Sequence, residues 1–173
     1  MISKKVDEHG TIRYRNELGQ LHREDGPAVE HADGDKSWYL NGKLHREDGP
    51  AIEWTDGTES WFQNGYLHRL DGPAVKYRDG TTLWKRYGKF HRLDGPAVEF
   101  ASGAKEWWQN GKRHRLDGPA YLGAKGTSFS PSWFINGKEY SENEFNKEIW
   151  NRNPTRRNIL KRASGKAGIE MDI

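Results

Sequence analysis

No cysteine occurs in the 173 residues, so disulfide frameworks, Cys-based zinc sites and thiol nucleophiles are excluded. Long apolar runs are missing too. No stretch approaches the ~20 residues that a membrane-spanning helix needs. The start Met1-Ile2-Ser3-Lys4-Lys5 lacks the apolar segment of a secretory signal, which predicts a cytoplasmic protein. Core formers are scarce: Leu, Ile, Val and Phe together number 29, about 17 per cent, a share typical of disordered chains. An excess of one charge is also lacking, because 28 Lys and Arg face 25 Asp and Glu. Disorder requires that excess together with few aromatics. Here eight Trp and seven Tyr supply large faces for burial. The balance predicts a folded domain with a thin, aromatic core and a large surface, in keeping with a mean hydropathy of −1.07. A pI near 9.0 built on so even a balance does not by itself imply nucleic acid.

What is present is repetition. Leu21-His22-Arg23-Glu24-Asp25-Gly26-Pro27-Ala28 returns as Leu44 to Ala51, Leu67 to Ala74, Phe90 to Ala97 and Arg113 to Ala120. The frame His-Arg-x-Asp-Gly-Pro-Ala is unbroken across these five copies, 23 residues apart. A second phrase, Trp38-Tyr39-Leu40-Asn41-Gly42-Lys43, recurs around Trp61, Trp84, Trp107 and Trp133. Self-similarity at this period marks a stacked array whose units cannot bury a hydrophobic face alone. The expected divisions are a partial repeat at 6–20, repeats at 21–43, 44–66, 67–89, 90–112 and 113–138, a helix at 141–153 and a basic tail at 154–173. Residues 1–140 form the array.

Each unit reads as β structure. Ala51-Ile52-Glu53-Trp54 alternates, and Asp56-Gly57 reads as a hairpin turn because Gly accepts positive φ. Thr58 to Gln63 makes the return strand with the periodic Trp61, and Asn64-Gly65 is a second turn signal before the next unit. The prediction is a hairpin plus connector per repeat, summing to an elongated antiparallel β-hairpin array. In the corner phrase, Pro fixes its own φ, holds the preceding Gly extended and can start a strand. Ala keeps the corner small. Arg and Asp, two residues apart, can pair within a unit or between neighbours.

Three functional readings compete with a structural corner. A His–Asp pair suits acid–base catalysis, but five copies with no nucleophile beside them argue for architecture, and no enzyme activity is expected. A His row suits metal. With two strands per unit, equivalent residues lie ~10 Å apart, whereas zinc takes ligands within about 2.1 Å of one centre, so no metal or other cofactor is expected. An Arg row suits phosphate, but the matching Asp row offsets its charge.

Binding is better sought where copies differ, since packing does not dictate those residues. The position after the periodic Trp reads Tyr39, Phe62, Lys85, Trp108 and Phe134, and the next reads Leu40, Gln63, Arg86, Gln109 and Ile135. Lys85-Arg86 interrupts a neutral column and reads either as a solvated turn or as a contact. Trp54 and Trp108 exceed the periodic Trp and read either as core or as hot spots. Candidate partner-binding residues are therefore Trp54, Lys85, Arg86 and Trp108. The fifth copy is stretched through Gly123-Ala124-Lys125-Gly126-Thr127-Ser128, as befits a terminal unit.

The end of the chain changes period. Ser141-Glu142-Asn143-Glu144 matches a capping box and Tyr140 with Phe145 a hydrophobic staple. Phe145, Ile149 and Trp150 are expected on one helical face, with Pro154 as terminator. This helix is expected to close the end of the array. Arg152, Arg156, Arg157, Lys161, Arg162 and Lys166 follow with no acid between them, either a solvated tail or a nucleic-acid contact.

The phrase Trp107-Trp108-Gln109-Asn110-Gly111-Lys112-Arg113-His114, in a 23-residue period with a later Asp-Gly, resembles the MORN repeat class over about residues 9–138. It departs in following His with Arg-x-Asp-Gly-Pro-Ala rather than Gly-x-Gly. That form is similar to uncharacterised repeat proteins of bacteria and their phages and to variant MORN repeats of antitoxin-type bacterial proteins. The resemblance implies an elongated β-hairpin array used for protein or lipid contact, and transfers no catalytic residue. The expected function is a non-enzymatic scaffold that binds and blocks another protein, in the manner of an antitoxin or a phage anti-defence inhibitor acting in the host cytoplasm. Nucleic-acid association through the tail is the alternative. Neither a membrane span nor a small-molecule substrate is expected.

Overall fold

A computed structural model describes residues 1–152. The fold is mainly β, an elongated antiparallel hairpin array followed by one helix. Eleven strands form one sheet whose spatial order follows the chain. It opens with the hairpin Ser3–Val6 and Ile12–Arg15. Each of the first four repeats then adds two strands of two residues, Val29–Glu30 with Lys36–Ser37, Ile52–Glu53 with Glu59–Ser60 and so on, and the fifth adds one, Tyr121–Leu122. With strands just under 5 Å apart, eleven of them extend ~50 Å and equivalent residues recur every ~10 Å.

The repeat differs from the expected hairpin plus connector in one respect: it contains two hairpins. The chain leaves the main sheet at the periodic Trp and makes a second hairpin, Tyr39–Leu40 with Lys43–Leu44, repeated at Phe62–Leu67, Lys85–Phe90, Trp108–Arg113 and Trp133–Tyr140. The Trp is the switch because its two polar groups look opposite ways. The Trp38 amide donates to the Ala51 carbonyl at 2.8 Å, while its carbonyl accepts from His45 at 3.0 Å. Asn41 and Gly42 both have positive φ, 48° and 78°, as a two-residue turn between twisted strands requires. The Asp-Gly loop is longer than a two-residue turn. Trp54 donates to Thr58 and Gly57 donates back to Trp54, each at 3.0 Å, leaving three residues in the loop with Gly57 at φ 89°.

The second hairpins stack through a set of bonds supplied by the corner phrase. The Arg23 amide donates to the Tyr39 carbonyl, Gly42 donates to Leu21, and the Asn41 amide donates to His22 Nδ1 at 3.1 Å. The histidine bond recurs from Asn64 to His45, Tyr87 to His68, Asn110 to His91 and Asn136 to His114. Every repeated His therefore uses Nδ1 as an acceptor, which fixes the neutral tautomer with its proton on Nε2.

The arginine of the phrase is the keystone of the other side. Its guanidinium carbon lies over the ring of Tyr14, Trp38, Trp61, Trp84 and Trp107 in turn, at 3.9–4.2 Å. Its Nε donates to the Asp of its own corner at 2.8–3.0 Å in all five copies. Nη1 donates to the Pro carbonyl in four copies and to Glu30, Glu53 or Glu99 in three. The corner Gly has no positive φ. It is small because a Cβ there would stand 2.8–3.3 Å from the same guanidinium carbon. The Ala that ends the phrase is 0% exposed in every copy.

Register places Val29, Ser37, Ile52, Ser60, Val75, Leu83 and Val98 in one cross-strand line, and most of that line is buried. The buried apolar residues of the array are thus small, with the indoles at its flank under arginine. The helix spans Glu142–Arg152 with Ser141 as its cap. Ser141 and Glu144 form the reciprocal capping box, the Ser amide donating to Glu at 2.8 Å and the Glu amide to Ser Oγ at 3.3 Å. Phe145 is buried, and the helix packs on the last hairpin, Trp133–Ile135 with Lys138–Tyr140. Trp150 departs from the expected apolar face: it is exposed, being five residues and so about 140° from Phe145. Among the described residues no helix is long and apolar enough to cross a membrane.

Two outcomes test this account. Gly72→Ala should destabilise by ~1–3 kcal/mol, the range for overpacking, although at a compatible φ the same change stabilises by ~0.4–1 kcal/mol. Added to Arg69→Ala it should become neutral or stabilising, a non-additivity that urea titrations of the four proteins would reveal. Second, burial, helped by the Arg86 charge, holds the His68 imidazole below its usual range, and burial with Arg152 does so for His114. Both groups then contribute stability that is full above ~6.5, the unfolded value, and is lost as pH falls from there towards the lower folded values. Stability in urea should decline between pH 7.5 and 5, and decline less in His68→Asn/His114→Asn; equal slopes would contradict the histidine linkage.

Candidate interaction surface

The corner phrase commits His, Arg, Asp, Gly, Pro and Ala to the fold and leaves its x position free. That position reads Glu24, Glu47, Leu70, Leu93 and Leu116. The three leucines are 65%, 69% and 45% exposed, so their apolar character is not dictated by burial. Beside each x residue stands the corner Asp, its side chain 80–85% exposed while the partner Arg is recessed against its ring. The hydrogen bond from that Arg holds each of these carboxyls below the usual range. Carboxylates, not guanidiniums, therefore edge the corners, which is why an arginine row is not available to phosphate.

Grooves run between consecutive corners. The first has Trp38 and Leu40 among its lining and Glu24, Asp25, Glu47 and Asp48 around it. The groove between the third and fourth corners is lined by Leu70, Leu93, Trp84 and Arg86, with Asp71 and Asp94. The track thus changes chemistry along its length, from acidic over the first two repeats to apolar over the last three. A second row lies at the opposite end of the strands, where Trp54 and Tyr77 precede Asp-Gly loops and Phe100 the equivalent Ser-Gly loop, at 36%, 44% and 40% exposure.

The four predicted contact residues are not brought together. Arg86 is exposed in the leucine-lined groove. Lys85, its neighbour, lies over the Phe90 ring at 4.2 Å, and burial lowers its pKa. Trp108 is half-buried against Phe90, donates its indole N–H to Glu106 at 2.6 Å and lines a groove with Arg113 and Phe134. Trp54 belongs to the aromatic row at the other edge. Arg152 pairs with Glu148 at 2.8 Å; Arg156, Arg157, Lys161 and Arg162 lie outside the described residues. The leucine column escaped the sequence reading, though aligning the x residues of the five phrases would have exposed it.

The third repeat carries most of the departures. Lys76 stands where Glu30, Glu53 and Glu99 meet their arginines, and Arg69 Nη1 is buried with no hydrogen-bond partner. Lys76 instead meets Glu59 at 3.6 Å and shares the Trp61 ring with Arg69. Tyr87 replaces the turn Asn at φ 47°, a conformation costly for a bulky residue, and rests its ring on His68 at 4.2 Å. Charge divides at the same place. Residues 44–66 hold one cation against five carboxylates, and residues 67–89 hold six against two. Near neutrality of the whole array conceals this polarity.

Among the described residues no group of three His, Asp or Glu could hold a metal ion. No family model matches the chain, and no curated protein matches it in sequence. Residues kept against the fold's own preference are candidates for function. Lys76→Glu should accordingly raise stability by ~0.5–1.5 kcal/mol by giving Arg69 the carboxylate that Arg23, Arg46 and Arg92 have. An unchanged or lower urea midpoint would show that the orphaned Nη1 costs nothing.

Proposed function

We propose that this chain is a non-enzymatic protein-binding scaffold that uses its corner track to occupy and block another protein. The observation that carries this reading is the leucine column. Leu70, Leu93 and Leu116 stand exposed at ~10 Å intervals, at positions where the fold asks for nothing and two other copies carry Glu. A row of apolar side chains edged by carboxylates, with Arg86 between two of them, has the make-up of an interface: apolar anchors within a polar rim. Stacked repeats present such extended surfaces without a central pocket. The likeness of the phrase to MORN units and to antitoxin-type and phage repeats supports the narrower form, an inhibitor of a bacterial toxin or defence protein.

The His-Arg-x-Asp side chains, which in isolation suggest acid–base chemistry, are engaged in holding hairpins and corners. That engagement favours binding over catalysis. Nucleic-acid association is the competing outcome, and the test separates the two. The tagged full chain, Leu70→Ser/Leu93→Ser/Leu116→Ser, and Arg156→Gln/Arg157→Gln/Lys161→Gln/Arg162→Gln would be used to capture proteins from a bacterial lysate with and without nuclease. A protein partner retained after nuclease and by the tail variant, and weakened at least about tenfold (~1.4 kcal/mol) by the leucine changes, is expected. Capture abolished by nuclease and by the tail changes, but indifferent to the leucines, would replace this reading with nucleic-acid binding.

A further inference from the structure

We infer that residues 156–166 of this chain dock along its own corner track, with Lys161 and Arg162 at the acidic groove between the first two corners. Three observations lead there. The first is where the described chain leaves the array. Arg152, the last residue of the helix, lies close enough to the His114 ring for its charge, after burial, to hold that imidazole's pKa down. His114 opens the fifth corner phrase, two residues before Leu116. The helix that Arg152 ends packs on the last hairpin, whose Asn136 amide donates to His114, so the described residues end at the leucine end of the track.

The second is length. Corners repeat every ~10 Å, so the fifth is ~30 Å from the second and ~40 Å from the first. Extended chain covers at most ~3.3–3.6 Å per residue. Residues 153–162 can thus span ~33–36 Å, enough to bring Lys161 and Arg162 to Glu47 and Asp48. Lys166, four residues on, comes within reach of Glu24 and Asp25.

The third is the order of the chemistry. Going outward from Arg152 the sequence offers Arg156 and Arg157, then Ile159 and Leu160, then Lys161, Arg162 and Lys166. Going along the track from the same end the surface offers three corners where an exposed leucine stands beside a carboxylate, Leu116 with Asp117, Leu93 with Asp94 and Leu70 with Asp71, with Arg86 between the last two, and then two all-carboxylate corners, Glu47 with Asp48 and Glu24 with Asp25. The basic cluster Lys161, Arg162 and Lys166 follows the apolar pair Ile159-Leu160 as the all-carboxylate corners follow the leucine-bearing ones. At the acidic groove, Trp38 and Leu40 supply apolar surface for the long stem of a Lys or Arg, while the four carboxylates meet its head. Glu24 and Glu47 have only long contacts to His22 and His45, at 3.6 and 3.7 Å. The docking need not be strong. A short tether sets an effective concentration in the millimolar range, so a contact of roughly millimolar affinity is half-occupied.

The consequence, which alone rests on the protein-binding reading above, is that the tail competes with a partner for the leucines. Tail docking itself stands or falls separately. The chain has no cysteine, so Ala163→Cys in the full-length protein gives a single site for a nitroxide label next to Arg162. In isotope-labelled protein the amides of Glu24, Asp25, Glu47 and Asp48 should lose intensity, and those of Asp56 and Asp79 at the opposite edge should not. High salt, or Glu24→Gln/Glu47→Gln, should restore the lost signals. Broadening no greater at the corners than at the loop edge would overturn the inference. So would equal broadening when nitroxide and isotope reside on different molecules, which would assign the contact to a second copy. Corner signals left intact while an added DNA duplex broadens on contact with the label would overturn it in favour of nucleic acid.

Discussion

A guanidinium held between an aromatic ring and a glycine sets the terms for the rest of this fold. At ~4 Å from the Trp ring, and so near the Gly that an added Cβ would stand 2.8–3.3 Å from its Cζ, the arginine fills the space that a core side chain would take elsewhere. Each such cation–ring contact contributes ~0.5–2 kcal/mol, and the recessed charge is answered by Asp, by the Pro carbonyl and, in three repeats, by Glu. Once that plane is in place, no Cβ fits at the Gly and nothing larger than a methyl group suits the fully buried Ala beside it. A unit so small has no core of its own. Its stability comes from stacking against neighbours, through sheet bonds on one side and through the His, Arg and Leu contacts of the second hairpins on the other.

The period, the two turn signals and the capping box were legible in the residues because each rests on local chemistry: positive φ at Asn-Gly, an amide acceptor at Ser141, a fixed spacing of copies. The second row of hairpins was not. Strands of two residues are too short for alternation to register, and the switch at Trp38 depends on which way its amide and carbonyl point, a tertiary outcome. The corner Gly was read through the Pro that follows it, and the guanidinium packed on it, which crowds any Cβ there, has no local signal. Trp150 was misplaced because apolar residues at i, i+4 and i+5 look like one face in sequence, whereas Phe145 is buried, Ile149 half-buried and Trp150 exposed. Trp108 gave no sign that Glu106, two residues away, would hold its indole.

At the candidate surface the position of informative residues was legible in principle and their grouping was not. A fold that commits six of every 23 residues to one corner leaves little freedom, so departures from the repeat carry more meaning than adherence to it. Lys76 and Tyr87 both work against local stability, one by orphaning a buried donor and the other by its backbone conformation. Both fall in the repeat where the charge of the array reverses and the leucine column begins. Coincidence of strained and unsatisfied positions with a change in surface chemistry is the pattern expected where function opposes stability.

A linear track also recognises differently from a pocket. Specificity lies in the order of chemistries along an axis, and the unit of error is one repeat, ~10 Å. An apolar and cationic ligand that slips by one unit towards the leucine end places a charged head over Leu70 and leaves Glu24 and Asp25 without a partner. Slipping the other way strands its apolar segment among carboxylates. Both errors cost desolvation or lose ion pairing, so under the proposed binding function the uneven x column would discriminate register as well as attract a ligand. A track whose five x residues were all leucine would bind more apolar surface and distinguish fewer alignments. The acid-to-leucine change across a fold of otherwise identical corners is therefore what turns a uniform scaffold into a directional one.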